Sequence, residues 1–230
     1  MIPELDAVFD KYEALVKQVD DVFENVRAAH ADCVKCQLEC ADCCHALFDL
    51  SLVEALYLNR HFIDAVGEER KNEILAEANK VDRDIYRLKR KAFKAVESGE
   101  KTEAQVLLEM AAERVRCPLL DAQNRCELYT RRPITCRLYG IPTAINGRGH
   151  TCGLSGFKEG QSYPTVNLDA VNAKLQALSQ EVVGLLKSKH VKMGGLLMPL
   201  SMALLTVFDA SYLGLPSDGD DADSTEGQGR

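Results

Sequence analysis

Counted from Leu5 in alternating steps of three and four, the first quarter of the chain reads Leu5, Val8, Tyr12, Leu15, Val19, Val22, Val26, Ala29, Cys33, Cys36, Cys40, Cys43, Leu47, Leu50, Glu54 and Tyr57. Only Glu54 departs from an apolar or sulfur-bearing series. That period belongs to a helix face, since a strand would alternate every second residue. Pro3 and Glu4 suit a helix start. The pattern predicts helix over most of residues 4–60, with the cysteines as the place where it would break.

Within that series lies CVKCQLECADCC, residues 33–44, which holds five of the nine cysteines. A single cysteine on such a stripe is an ordinary buried thiol. Four in succession, with Cys44 beside them, point to metal ligation instead, because Ala, Val or Leu would fill a core stripe as well. An unbroken helix would spread Cys33 to Cys44 over about 16 Å, too far for one centre to gather all five sulfurs. Either the helix breaks or each half is completed from elsewhere. Cys117, Cys126, Cys136 and Cys152 are the candidates for completion. Nine thiols are one more than two all-cysteine centres need, and Cys33 or Cys44 is the one most readily released.

Helical neighbours stand roughly 5–6 Å apart at Cβ, which suits an iron–sulfur cube better than a compact zinc tetrahedron. Ligation by thiolates alone fits iron–sulfur clusters also. The spacing therefore favours one or two [4Fe-4S] clusters, with zinc as the alternative. His45 and His150 lie near the cysteines in sequence and read as supporting or surface residues.

Further helical series run from Ile74 to Val96, stopped at Ser98–Gly99, from Ala104 to Val115, and from Leu168 to Leu185. Residues 117–165 are rich in proline, glycine and cysteine and read as an irregular loop with short strand pieces. The apolar segment 194–208 is too short and proline-interrupted to span a bilayer, and reads as a buried or oligomer-facing helix. The expected fold is all-α. A helical bundle with a long cysteine-bearing first helix carries the cysteine-rich loop packed on it, as one domain over 1–215. Residues 216–230 read as a disordered acidic tail.

Net charge is −7, of which the last fifteen residues contribute −4. The near-neutral body offers no electrostatic footprint for nucleic acid, and the basic run 83–94 falls on one helix face as a solvated stripe. No run of eighteen apolar residues suggests a membrane span, and acids stand where a secretory leader would need an apolar core. Those readings place the chain in the cytoplasm, where clustered thiols more often mean metal than disulfides. A redox or other protein partner, and a homo-oligomer through 194–213, are expected without a sequence motif to name them.

The stretch CPLLDAQNRCELYTRRPITCRLYG, residues 117–140, resembles the YkgJ-type cysteine-cluster family, described as zinc- or iron-chelating. That family joins a CxxCxxCC-like cluster to C-P-x-L, then C-x-x-Y-x-x-R-P-x-x-C-R and a further cysteine. Cys117–Pro118, Cys126, Tyr129, Arg132–Pro133, Cys136 and Arg137 match the second part, and Cys152 matches the last cysteine in approximate position. Cys40, Cys43 and Cys44 match the end of the first cluster. The family's leading cysteine falls at Gln37, so Cys36 is offset by one and Cys33 is its possible substitute. The resemblance implies eight ligands: Cys36, Cys40, Cys43, Cys44, Cys117, Cys126, Cys136 and Cys152. Around them Arg132, Arg137 and Tyr129 would offset charge and donate hydrogen bonds, and Pro133 would fix the turn that aims Cys136. A redox, electron-transfer or structural role follows. A remoter likeness to an iron–sulfur protein that methylates flagellin lysines makes an S-adenosylmethionine-dependent lysine methyltransferase one alternative, and a zinc or iron chelator and delivery protein the other. No glycine-rich nucleotide fingerprint or nucleophile–base motif marks an enzyme.

Overall fold

The computed structural model describes residues 5–37 and 40–216. The tail from 217 onward lies outside the described residues. Helix dominates, in the order α1 (Asp6–Ala29), β1 (Asp49–Ser51), α2 (Leu52–Ala65), α3 (Glu68–Glu97), α4 (Glu103–Ala112), α5 (Ile134–Leu138), β2 (Thr143–Ile145), β3 (Arg148–His150), β4 (Val166–Asn167), α6 (Leu168–Leu185), β5 (Leu197–Pro199) and α7 (Leu200–Leu205).

The expectation of one long cysteine-bearing helix is corrected. α1 ends at Ala29, and His30 leaves helical geometry with φ −136° and ψ 48°. The His30 ring turns instead onto Phe157 and Tyr163. Gly156 N–H then donates to the carbonyl of Cys33 at 2.7 Å, pinning the departing chain to the distant loop. His, Asp, Cys and Val are all middling helix formers, so the segment carries little propensity to resist. Beyond the break Val34, off the counted stripe, is the buried residue, whereas Cys36 is exposed. Sulfur continued the apolar period in sequence, but no core receives it.

Helix resumes at α2 for a local reason. Ser51 and Glu54 form a capping box, Ser51 at the N-cap and Glu54 three residues on. The one residue that broke the stripe is thus part of a helix start. α2 is buried on every side from Leu52 to Asn59, as expected of a central helix. One core gathers α1, α5 and α6 around it through Val8, Tyr12, Leu56, Ile134, Leu138 and Val182. A second gathers α3, α7 and the strands β1 and β5 through Leu50, Leu58, Phe62, Ile74, Leu119 and Met198.

The architecture is mostly helical but not strictly all-α. β1 and β5 pair antiparallel, with Leu50 opposite Met198, and β2 is flanked by β3 antiparallel and β4 parallel. The β2–β3 hairpin turns on Asn146 (φ 50°) and Gly147 (φ 73°), an Asn-Gly pair suited to the left-handed conformation at both positions. α3 and α6 form where the periodicity puts them, and Gly99 ends the turn after α3 at φ 72°. Segment 194–208 differs from the single helix expected. Pro199 breaks it, so it runs from a 3-10 turn through β5 into the short α7. Met198, Ala203 and Leu204 are buried there, while Leu197 and Val207 are exposed. No described helix is long and apolar enough to cross a membrane.

Candidate metal centre

The cysteines meet at the seam between the two cores. Cys43 and Cys44 ride a 3-10 turn, Asp42–His45. Cys117 is tied to it by its backbone N–H donating to the Cys44 carbonyl at 2.7 Å. A bridge between Leu120 and Cys126 folds the next loop back on itself. Pro133 caps α5 with ψ 161°, and Ile134 and Leu138 anchor that helix in the first core, which presents Cys136 to the seam. Cys152 follows β3, and its sulfur donates to Asp42 Oδ2 (3.3 Å) while accepting the N–H of Leu154 (3.4 Å). All nine cysteines are free thiols.

A cavity of about 620 Å³ collects Cys36, Cys40, Cys43, Cys44, Cys126, Cys136 and Cys152. A smaller one of about 50 Å³ adjoins it and is lined by Cys43, Cys44, Cys117, Cys126 and Cys136. Cys33 lines neither; its backbone serves the Gly156 contact. Of the two candidates for the leading position, the structure brings Cys36 to the cavity. Among the described residues no three His, Cys, Asp or Glu side chains converge as closely as one ion needs, so the thiols line a wall.

The Cys36 sulfur packs against the backbone at Gly140, where an added Cβ would collide with it. Gly140→Ala is therefore expected to push the Cys36 side chain out of the cavity. Faster alkylation of Cys36 than in the wild type, mapped by peptide mass, would check this; an unchanged rate would refute it.

Burial among like groups resists ionisation. It pushes Cys117 up to about 12 and Cys36 up to about 11, and raises Cys126 and Cys136 with Arg132 opposing. The neighbouring Cys43 and Cys44 split, because their mutual hydrogen bond draws Cys43 down to about 7 and raises Cys44. Positive charge set among such thiols reverses the penalty, as a bound cation does when it takes thiolates.

The residues expected to surround the ligands divide. Arg132 lines both cavities and lies over the Tyr129 ring at 4.2 Å, and its Nε is buried without a hydrogen-bond partner among the described residues. A buried orphan donor on a thiol-lined wall fits a metal–thiolate group that accepts from it. Arg137 also lines the larger cavity, but its donors are spent elsewhere: Nη1 to Asp20 (2.6 Å), Nε to the Arg132 carbonyl (2.9 Å) and Nη2 to the Thr130 carbonyl (2.6 Å). It clamps the loop to α1. Arg137→Met is expected to cost about 2 kcal/mol, read as a lower denaturation midpoint; an unchanged midpoint would mean the clamp carries no stability. His45 Nδ1 stands 3.0 Å from the Ala41 carbonyl, and His150 is exposed on β3.

Sequence reasoning missed two carboxylates here. Asp42 bridges Cys152 to Arg114, whose Nη2 donates to Oδ1 at 2.5 Å. No motif marks it. Glu54 accepts from Ser51 N, Ser51 Oγ and, at 3.1 Å, from Ile134 N at the start of α5. The Ser51–Glu54 spacing was a readable signal for it.

A helical scaffold holding eight thiols around adjoining cavities defines a cysteine-cluster protein. Residues 32–153 match the CxxCxxCC family, whose description is "Putative zinc- or iron-chelating domain", and the chain belongs to that family. No curated protein and no solved structure matches it.

Proposed function

We propose that this chain is a cytoplasmic metalloprotein that binds one or two metal centres through Cys36, Cys40, Cys43, Cys44, Cys117, Cys126, Cys136 and Cys152. The centres are [4Fe-4S] clusters rather than zinc, in a redox or structural role. The observation that carries the reading is the set of seven cysteines around one 620 Å³ cavity, with an eighth on the adjoining wall. A broad ring of thiols suits a cluster several atoms across better than one tetrahedral ion. Arg132 supports the same reading, since a half-buried guanidinium on the cysteine-lined wall would offset thiolate charge that the interior otherwise penalises. A bound cluster would supply one-electron chemistry and, because thiolate–metal bonds carry folding energy, a clamp between the two cores.

Anaerobic purification, visible absorption and metal analysis test it. A brown protein with iron and sulfide in equal amounts is the expected result. A colourless protein with zinc alone overturns the cluster assignment, and one with no metal overturns the chelating role.

A further inference from the structure

Far from the cysteines, α3 turns an unusual face to solvent. Its inner side packs Ile74, Ala78, Val81 and Ile85 into the core. Arg83, Tyr86, Arg90 and Phe93 follow one another at helical intervals of three and four, with Lys94 beside them, so the five form one outward stripe. All five are exposed, Tyr86 by 62% and Phe93 by 66%. A solvated stripe accounts for the cations but not for two large rings left in water two turns apart on one face. Helix α4, which packs against α3, adds to the exposure: Ala104, Leu107, Leu108 and Ala111 share its outer side, while Val106 is buried.

The charge is as uneven as the apolar surface. From Arg83 to Lys94 six cations stand against one acid, Asp84, in a chain whose net charge is −7. Two of the six are ion-paired, Arg87 with Asp84 at 2.8 Å and Lys89 with Asp49 at 2.6 Å. Arg83, Arg90, Lys91 and Lys94 make no ion pair among the described residues. Cations and rings together select what covers this face. A second copy meeting it across a two-fold axis would set the same cations against one another. A partner helix needs a groove to lie in, and this stripe is the convex outer side of a long helix. Nucleic acid calls for a basic body, and this one is near neutral. An anionic bilayer needs neither groove nor register. Its headgroups form a plane of negative charge that attracts the cations, and aromatic rings settle at the headgroup level. From Arg83 to Lys94 the helix runs about 16 Å, long enough to lie along such a surface as interfacial helices do.

We propose that the outer stripe of α3, formed by Arg83, Tyr86, Arg90, Phe93 and Lys94, docks the protein on an anionic lipid surface, with the cations at the headgroups and the two rings in the interface. The contact is peripheral and does not depend on what the cysteines hold.

Vesicle flotation with the full chain tests the proposal. Vesicles of phosphatidylcholine with about one-third phosphatidylserine are expected to carry the protein, and vesicles of phosphatidylcholine alone to leave it behind. Salt at about 1 M, which shortens the screening length to ~3 Å, should weaken binding at least tenfold. The double variant Arg83→Ala, Arg90→Ala should weaken it about twentyfold, at roughly fivefold per cation. Arg90→Lys keeps the charge and should bind like the wild type. The chain has no tryptophan, so Phe93→Trp supplies a single reporter on the stripe. Its emission is expected to shift to the blue on the phosphatidylserine vesicles. No binding to those vesicles, equal binding by the double variant, or an unshifted Phe93→Trp emission on bound protein overturns the docking face. Retention of a single-stranded oligonucleotide in place of vesicles overturns it in favour of nucleic acid. A dimer that Phe93→Ser abolishes, in a chain that ignores vesicles, overturns it in favour of a second copy.

Discussion

Cys136→Ser is expected to lose bound metal and most of the stabilisation it gives. Cys136 is the cysteine that α5 presents directly from the first core, and it lines both cavities. A serine hydroxyl at neutral pH is neither ionised nor soft, so it is a poor substitute for a thiolate. A metal held a thousandfold above its dissociation constant contributes about 4 kcal/mol. For a chain of this size its loss lowers the melting temperature by roughly 10 °C. The comparison that decides is melting with and without chelator: the wild type drops on chelation, and the variant starts low and does not move. A variant with full metal content and a chelator-sensitive midpoint would remove Cys136 from the ligand set.

Glu54→Ala is expected to cost about 3–5 kcal/mol, because it leaves buried donors on Ser51 and Ile134 unpaired, each at about 1–3 kcal/mol. The site should feel the loss as well. Ile134 opens the helix that carries Cys136, so metal content is expected to fall along with the denaturation midpoint. The same carboxyl gives a pH signature. Burial raises its pKa above the ordinary value, against the hydrogen bonds it accepts from Ile134, Ser51 and Tyr12. The folded state then holds this proton more tightly than the unfolded chain. The group's contribution is full below the ordinary carboxylate value and declines as pH rises through the raised one. Glu54→Gln cannot titrate there. The wild type should lose more stability than Glu54→Gln across that window, in urea melts at matched ionic strength; parallel slopes would show that the buried carboxyl does not titrate.

Most of the scaffold could be read from residue order, and the reasons differ by element. α3 and α6 carry a long apolar period with a polar reverse face, and Ser98–Gly99 stops the first of them as expected. The second cysteine motif was legible because it resembles the family pattern residue by residue, including a proline to set the turn and a cysteine three residues on. The first was misread for a physical reason. A thiol is small and apolar enough to extend a hydrophobic period, so the stripe from Cys33 to Cys43 read as a continuation of the first helix, which ends at Ala29. Arg132 and Arg137 could not be told apart in sequence either. Only the fold shows that Asp20, far back on α1, occupies one of them. β2 and β3 fall in the segment read as loop with short strand pieces, whereas β1 and β5 were hidden because each is three residues long, below the length at which alternation is visible.

The distances along the chain that the site bridges have a consequence in time. Cys152 meets Asp42 across 110 positions, Arg131 meets Glu13 across 118, and Arg137 meets Asp20 across 117. A ribosome that has released only the first cysteine cluster has made five thiols and none of their partners. Long-range closure of this kind comes late in folding. Metal offered before α5 and the Cys152 loop have emerged would find an incomplete and exposed set of sulfurs, open to the wrong ion or to oxidation. On the proposed ligand set, loading would therefore be a step at the end of the chain's assembly rather than its nucleus.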